Sequence, residues 1–266
     1  MAAKRIEMGG DQASFRQSLL HYLQTYQQGA YRVDALYDLC LMDRRESDEA
    51  ALLEHTTQLL AQAGNRYTEE ALLWHGEVLF HRQQYAEAMQ DYQQLLTCAT
   101  TPERQQLARI GILRTATLTQ QHEQVVTTAG ELLADAQLSD ELRAEALYRR
   151  AKALWVTHPQ DPRLESDLSQ LASDTRTLFG AEAKYLLAQR LYDRQQYAEA
   201  EKVLLQFIDQ STPHAYWLAR GFVLLSDVYV ALGKPTEARL YLQSLQQNYQ
   251  GDDDIASLIQ ERLGKL

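Results

Sequence analysis

The chain of 266 residues contains one seven-residue sequence twice, letter for letter. The sequence Arg-Gln-Gln-Tyr-Ala-Glu-Ala occupies residues 82–88 and again residues 194–200. The copies start 112 residues apart, from 82 to 194. That is three periods of about 37 residues, within the roughly 20–50 residues typical of helical repeat arrays. Because each unit of such an array buries its apolar face against its neighbours, the period predicts a stack of similar units.

Degenerate copies of the unit lie between and beyond the two heptapeptides. Steps of 37 or 38 residues from Gly76 reach Leu113, Ala151, Ala188 and Ser226, each inside an apolar segment of helical periodicity. We call these five positions the anchors. Four of them are small, which allows two helices to approach closely, and Leu113 departs from that pattern.

Composition favours helices joined by short connections. Apolar residues make up 45% of the chain, while glycine and proline number only 12 and 5. Apolar periodicity and turn signals predict helices over 11–28, 31–44, a segment capped by Ser47, 68–81, 85–98, 102–119, 122–136, 140–156, 163–178, 181–193, 197–210, 214–232, 235–249 and 254–264.

The predicted fold is all-α: a right-handed α-α superhelix, a solenoid of antiparallel helix pairs. We expect one solenoid over 11–266 with about six helix pairs. A terminal helix at 254–264, preceded by three aspartates that suit a helix N-terminus, is expected to close it. Residues 1–10 are predicted to be disordered or left over from cloning.

Several classes of function are disfavoured. The formal net charge of −10 argues against nucleic acid as the main partner. The sequence has no run of about 18 apolar residues, so no transmembrane segment is predicted. Phosphate-loop, hydrolase and zinc motifs are missing, so we predict no catalytic residues, no cofactor and no metal site. His75 and His81 are six residues apart and fall on different faces of one helix, which disfavours zinc.

The repeat unit resembles the tetratricopeptide repeat, whose first helix reads W-x2-L-G-x2-Y. This chain reads Leu72-x2-His75-Gly76-x2-Leu79, then Lys184-x2-Leu187-Ala188-x2-Leu191, then Phe222-x2-Leu225-Ser226-x2-Tyr229. The resemblance covers about 66–250 well and 31–62 weakly, and the period exceeds the usual 34 of that family. It implies a protein-interaction scaffold and is not specific about the ligand.

Two C-terminal segments, 211–220 and 246–255, are similar to the end of long tetratricopeptide-repeat proteins of the Bacteroidetes envelope. If this chain is a fragment of such a protein, the resemblance implies a periplasmic or outer-membrane-associated location. Otherwise a cytoplasmic location is expected.

The register of the repeats also predicts which residues face a groove. In such helix pairs the first helices line the concave side, and groove positions fall three residues before the anchor and one, four or five after it. In the first two repeats these positions are Leu73, Glu77, Phe80 and His81, then Ile110, Arg114, Thr117 and Leu118. The predicted binding residues are Arg114, Tyr148, Lys152, Trp155, Tyr185, Gln189 and Tyr192, because aromatic and cationic side chains together are typical of binding hot spots. For the tryptophans, packing between repeats is the alternative.

The leading functional hypothesis is a non-catalytic scaffold that binds a peptide or partner protein in this groove. One alternative is a structural or assembly segment of a longer cell-envelope protein, with self-association of copies. Another is a regulatory domain of an enzyme whose catalytic part lies elsewhere.

Overall fold

The structure, a computed structural model, describes residues 11–62 and 64–266. Within these residues it contains fourteen α-helices and no β-strand. The helices are α1 (Gln12–Thr25), α2 (Arg32–Glu46), α3 (Glu49–Leu60), α4 (Thr68–His81), α5 (Tyr85–Cys98), α6 (Pro102–Leu118), α7 (His122–Leu133), α8 (Asp140–Thr157), α9 (Pro162–Leu171), α10 (Leu178–Asp193), α11 (Tyr197–Asp209), α12 (Ala215–Ala231), α13 (Pro235–Asn248) and α14 (Ile255–Leu263). The prediction of an all-α array of helix pairs is confirmed; its right-handed winding stays a prediction.

The helices fall into two compact units, one up to Thr128 and one from Ala129 to Leu266, with the boundary inside α7. In both units most helices pack on the next along the chain, and short turns reverse its direction. We call α4, α6, α8, α10 and α12 the first helices of the repeats. The helices that follow each of them, α5, α7, α9, α11 and α13, are the second helices.

Most helix ends follow the predicted signals. Thr101 caps α6 with its side chain and Pro102 is the first helical residue, while Ser139 caps α8 by accepting from the backbone N–H of Leu142. Ser47 was predicted to cap α3 and instead adopts a left-handed conformation after α2, so Asp48 caps α3.

The predicted helix at 163–178 is too long. Helix α9 ends at Leu171, and α10 begins at Leu178 instead of 181. Asp174 accepts a hydrogen bond from the backbone N–H of Arg176, and the Thr177 side chain caps α10. These short polar side chains bond their own backbone and so favour a turn over a continued helix.

The five anchors are buried, as the spacing predicts. Leu113 is 2% exposed, Ala151 1%, Ala188 0% and Ser226 1%, and Gly76 is buried in α4. In the first unit, the ring of Tyr92 on α5 packs against Gly76 and against Gly111 of α6. A Cβ atom added at Gly76 would lie 3.1 Å from the Tyr92 ring, and one added at Gly111 would lie 2.5 Å from it. The two glycines therefore make room for one aromatic ring among three helices.

The repeated heptapeptide forms the corner between two helices. Gln83 and Gln195, its second residues, both have φ of 61°. The next glutamines, Gln84 and Gln196, donate their backbone N–H groups back to Leu79 and Leu191, each over 2.9 Å. This 6→1 bond belongs to the Schellman motif, in which a left-handed residue ends the helix. Ala88 and Ala200, the last residues of the two copies, are fully buried.

The second unit contains two hydrophobic clusters of buried residues. One is centred on Leu204 and Phe207 of α11, and the other on Leu242 of α13 with Ile255 and Ile259 of α14. The predicted helix at 254–264 thus packs by its apolar residues onto α12 and α13; its role in closing the stack stays a prediction.

We expect Gly111→Ala to lower the free energy of unfolding by about 1–3 kcal/mol, since the new methyl group overlaps the Tyr92 ring. Gly130→Ala is the matched control on α7, where the nearest atom is 3.8 Å from the added Cβ, and it should be neutral or stabilising by up to about 1 kcal/mol. Urea titration followed by circular dichroism measures both. Equal stability of the two variants would contradict the proposed packing.

We also expect Gln83→Gly and Gln195→Gly each to raise the free energy of unfolding by about 0.5–1 kcal/mol, because only glycine adopts a positive φ without strain. The neighbours Gln84 and Gln196 have φ of −83° and −85°, so Gln84→Gly and Gln196→Gly should not stabilise. Thermal melts of the four variants compare the positions. If glycine raised the stability equally at Gln83 and Gln84, or at Gln195 and Gln196, left-handed strain would not be the cause.

Candidate functional site

A cleft of about 360 Å³ lies in the first unit, against the first helices α4 and α6. Its lining consists of Leu73, Glu77, Phe80, His81, Tyr92, Leu107, Ile110, Gly111 and Arg114. Six of these nine residues are groove positions predicted from the register of the repeats, and one, Arg114, is a predicted binding residue. Tyr92, Leu107 and Gly111 were not predicted.

The floor and walls of the cleft are mainly apolar. Tyr92 is 4% exposed and forms part of the floor beside Gly111. Leu107, by contrast, is 40% exposed, so an apolar side chain of the wall faces solvent. Sequence reasoning missed Tyr92 because it belongs to a second helix and enters the cleft only through the gap that the glycines leave.

The charged residues of the cleft are of both signs. Glu77 accepts a hydrogen bond from Arg44 over 3.3 Å, and His81 Nδ1 lies 2.9 Å from Glu49 Oε1. Burial raises the pKa of the Tyr92 hydroxyl; the carboxylates of Glu77 and Asp91 raise it further, and Arg114 opposes them.

The other six predicted binding residues lie in the second unit, on one stripe of α8 and one stripe of α10. Tyr148, Lys152 and Trp155 are spaced i, i+4 and i+7, and so are Tyr185, Gln189 and Tyr192. Helices α8 and α10 are in contact: Tyr148 and Lys152 bond Glu182 of α10, and Trp155 lies beside Arg190 of α10. Arg114 belongs to the first unit and its cleft.

Glu182 of α10 joins the two stripes. It is 6% exposed, accepts a hydrogen bond from the Tyr148 hydroxyl over 2.9 Å and forms an ion pair with Lys152 over 2.8 Å. The Tyr148 ring stacks on Phe179, with ring centroids 4.4 Å apart. The ammonium of Lys152 is therefore neutralised within the chain.

Tyr185 is 7% exposed, and its hydroxyl accepts a hydrogen bond from Arg220 over 3.0 Å. Trp155 is half-buried, with the Arg190 guanidinium 5.7 Å from its ring centroid. Tyr192 is also half-buried, beside Tyr197 at 5.4 Å. Of these three, Trp155 and Tyr192 keep surface for a partner, while Tyr185 is part of the core.

Two segments, residues 70–97 and residues 221–251, match the tetratricopeptide repeat family. The first segment covers most of the helix pair α4–α5, and the second covers the end of α12 with all of α13. The chain contains tetratricopeptide repeats. It is thus a helical repeat scaffold of the protein-interaction class, a fold that is typically not enzymatic.

Solved structures with a similar course of the chain are distant in sequence. A tetratricopeptide repeat protein from Parabacteroides merdae is 16% identical, with 98% of this chain and 96% of that one covered and a TM-score of 0.49. The assembly chaperone of RpL4, Acl4, is 15% identical, with 88% and 97% covered and a TM-score of 0.49. The TPR domain of P58(IPK) is 13% identical, with 98% and 73% covered and a TM-score of 0.37. No curated protein matches the sequence.

A ladder of aromatic pairs connects successive helix pairs within each unit. Tyr148 stacks on Phe179, and Tyr185 packs on Trp217 at 5.6 Å, each partner about one repeat further along the chain. Tyr37 and Tyr67 form the same kind of pair in the first unit, with centroids 3.7 Å apart. Tyr148 and Tyr185 both lie three residues before an anchor. Tyrosines at that position therefore stabilise the contact between repeats. Packing between repeats was the alternative role considered for the tryptophans. Trp74, 8% exposed, is likewise part of the core.

One group of side chains resembles a catalytic array and is better explained as structural. His75 lies between Asp91, at 2.6 Å from Nδ1, and Thr57, at 3.1 Å from Nε2. The Thr57 hydroxyl donates to the backbone carbonyl of Leu53 over 2.6 Å, so its proton is not directed at the imidazole as in an activated nucleophile. Arg150 and Asp167 form the equivalent link between α8 and α9.

Among the described residues no group of three histidine, cysteine or acidic side chains could hold a metal ion. None of the described helices combines the length and the apolar character that crossing a membrane requires.

We expect Tyr148→Phe to lower the free energy of unfolding by about 1–3 kcal/mol, because it keeps the stack on Phe179 and removes a donor from the buried carboxylate of Glu182. Tyr31→Phe is the control, since Tyr31 is 70% exposed, and it should change the stability by less than about 0.5 kcal/mol. Chemical denaturation measures the difference. Equal stability of the two variants would mean that the hydroxyl of Tyr148 has no structural role.

Proposed function

We propose that this protein is a non-catalytic scaffold that binds a partner protein or peptide along its first helices. The observation that carries the proposal is the cleft against α4 and α6, since it collects six residues that the repeat register assigns to the groove. Its volume of about 360 Å³ lies within the roughly 300–1,000 Å³ of ligand-binding pockets.

The surface of α6 supports a peptide rather than a small molecule as the ligand. Leu107 and Leu118 are 40% and 51% exposed, with Ile110 and Arg114 between them on the same stripe. The two leucines are eleven positions apart in the sequence, which is about 16 Å along a helix. A peptide with several apolar side chains suits a stripe of that length.

The second unit offers a separate contact region at Trp155 and Tyr192. Both aromatic rings are half-buried, so each combines a fixed position with some accessible surface. Rigid aromatic residues of this kind are enriched among binding hot spots. Because Lys152 is already paired with Glu182, we expect apolar contacts to dominate here over attraction to an acidic peptide.

The absence of catalysis is part of the proposal. It is supported by the hydrogen bond of the Thr57 hydroxyl to the Leu53 carbonyl, because a hydroxyl that donates there does not donate to the His75 imidazole beside it. Location in a bacterial envelope and an assembly role in a longer protein stay predictions from the sequence.

The test is selection of peptides from a displayed random library on the intact chain, followed by affinity measurements on variants. We expect Phe80→Ala or Trp155→Ala to weaken the selected peptides by about 30-fold, which corresponds to about 2 kcal/mol for a hot spot. Glu87→Ala, on the exposed surface of a second helix, is the control and should change Kd by less than about twofold.

Fluorescence anisotropy gives Kd, and circular dichroism checks that each variant is folded. A loss confined to Phe80→Ala locates binding at the cleft, and one confined to Trp155→Ala locates it on the second unit. Equal affinity of the parent and both folded variants would refute binding along the first helices.

A further inference from the structure

One polar group of the cleft, the Tyr92 hydroxyl, is not hydrogen-bonded within the described part of the chain. The Tyr92 residue lines the cleft, and only 4% of its surface is exposed. The hydroxyl is not one of the buried polar atoms that lack a partner, so it is still open to water at the cleft. A ligand that displaces this water must supply a hydrogen-bond partner or lose affinity.

The rest of the lining accepts an apolar body. Leu73, Phe80, Leu107 and Ile110 provide side-chain walls, and the Tyr92 ring fills the space at Gly111. An aromatic ring suits such walls because it buries a large area while giving up few rotatable bonds. The unpaired hydroxyl and these walls together require an occupant with an apolar body and a polar tip.

The charges around the cleft select a neutral tip. Glu77 is paired with Arg44 and Asp91 with His75, so a charged side chain would lose its hydration to reach groups that are already paired. A neutral hydroxyl does not carry that penalty. It can donate to the Glu77 carboxylate and accept from the Tyr92 hydroxyl, since a phenol is both donor and acceptor.

We propose that the cleft receives the side chain of a tyrosine of the partner, with its ring between Phe80 and Leu107 and its hydroxyl bonded to Tyr92 and Glu77. The inference rests on the proposed function, because it names the partner residue that the same cleft would recognise. A phenylalanine or leucine in this place would cover the Tyr92 hydroxyl without pairing it. A tryptophan offers a donor but no acceptor for that hydroxyl.

The experiment uses small probes of the tyrosine side chain on the intact chain. Binding of 4-methylphenol, toluene and indole is measured by titration with NMR detection. We expect 4-methylphenol to bind about 10-fold more tightly than toluene, the gain from one or two hydrogen bonds, and more tightly than indole. Phe80→Ala should weaken both 4-methylphenol and toluene, which assigns their site to the cleft.

Tyr92→Phe is the decisive variant, because it keeps the ring and removes the hydroxyl. It should reduce the preference for 4-methylphenol over toluene to below about threefold. Tyr229→Phe is the matched control: Tyr229 is 7% exposed, lies in the second unit and does not line the cleft. That variant should keep the full preference.

Three results would overturn the inference: equal binding of 4-methylphenol and toluene, a preference that survives Tyr92→Phe, or tighter binding of indole. These are distinguishable from failure of the proposed function. Selected peptides that still lose affinity with Phe80→Ala would uphold peptide binding at the cleft while the tyrosine assignment fails. Peptides indifferent to both Phe80→Ala and Trp155→Ala would refute the scaffold proposal itself.

Discussion

The close approach of helices over an aromatic ring is the interaction on which the rest of this structure depends. In the first unit the Tyr92 ring occupies the space that Gly76 and Gly111 leave, so α4, α5 and α6 meet at one point. In the second unit Phe207, fully buried, packs against Gly221, whose added Cβ would lie 3.2 Å from that ring. Protein interiors are close-packed, so a ring held by glycines sets both the helix spacing and the shape of the surface above it.

The same packing explains why the candidate site lies where it does. A first helix with a larger residue at position 111 would exclude the Tyr92 ring, and the cleft would lose its floor. The proposed ligand site is therefore a by-product of repeat packing. Its polar chemistry comes from Tyr92, a residue of a second helix, while its walls come from α4 and α6. If the proposed ligand binds there, stability and recognition depend on the same ring.

The contacts between repeats also determine which groove residues remain accessible. Tyr148 and Tyr185 lie at groove positions, yet each is used to connect its repeat with the next, through Phe179 and Glu182 or through Trp217. A residue on the first helix thus has two possible uses, and burial decides between them. Trp155 lies one helical turn further along α8 than Lys152, and it retains accessible surface.

The sequence by itself determined the helices, most of their ends and the faces they bury, because helical periodicity, caps and the 37-residue recurrence are local signals. It also determined the stripe of first-helix residues that lines the cleft, since the anchors set the register. Only the tertiary structure decided that Tyr92 enters that cleft, that Tyr185 is buried and that Lys152 is neutralised by Glu182. Each of these depends on a partner about 20–35 residues away on another helix, and periodicity indicates the face of a residue but not the side chain opposite it.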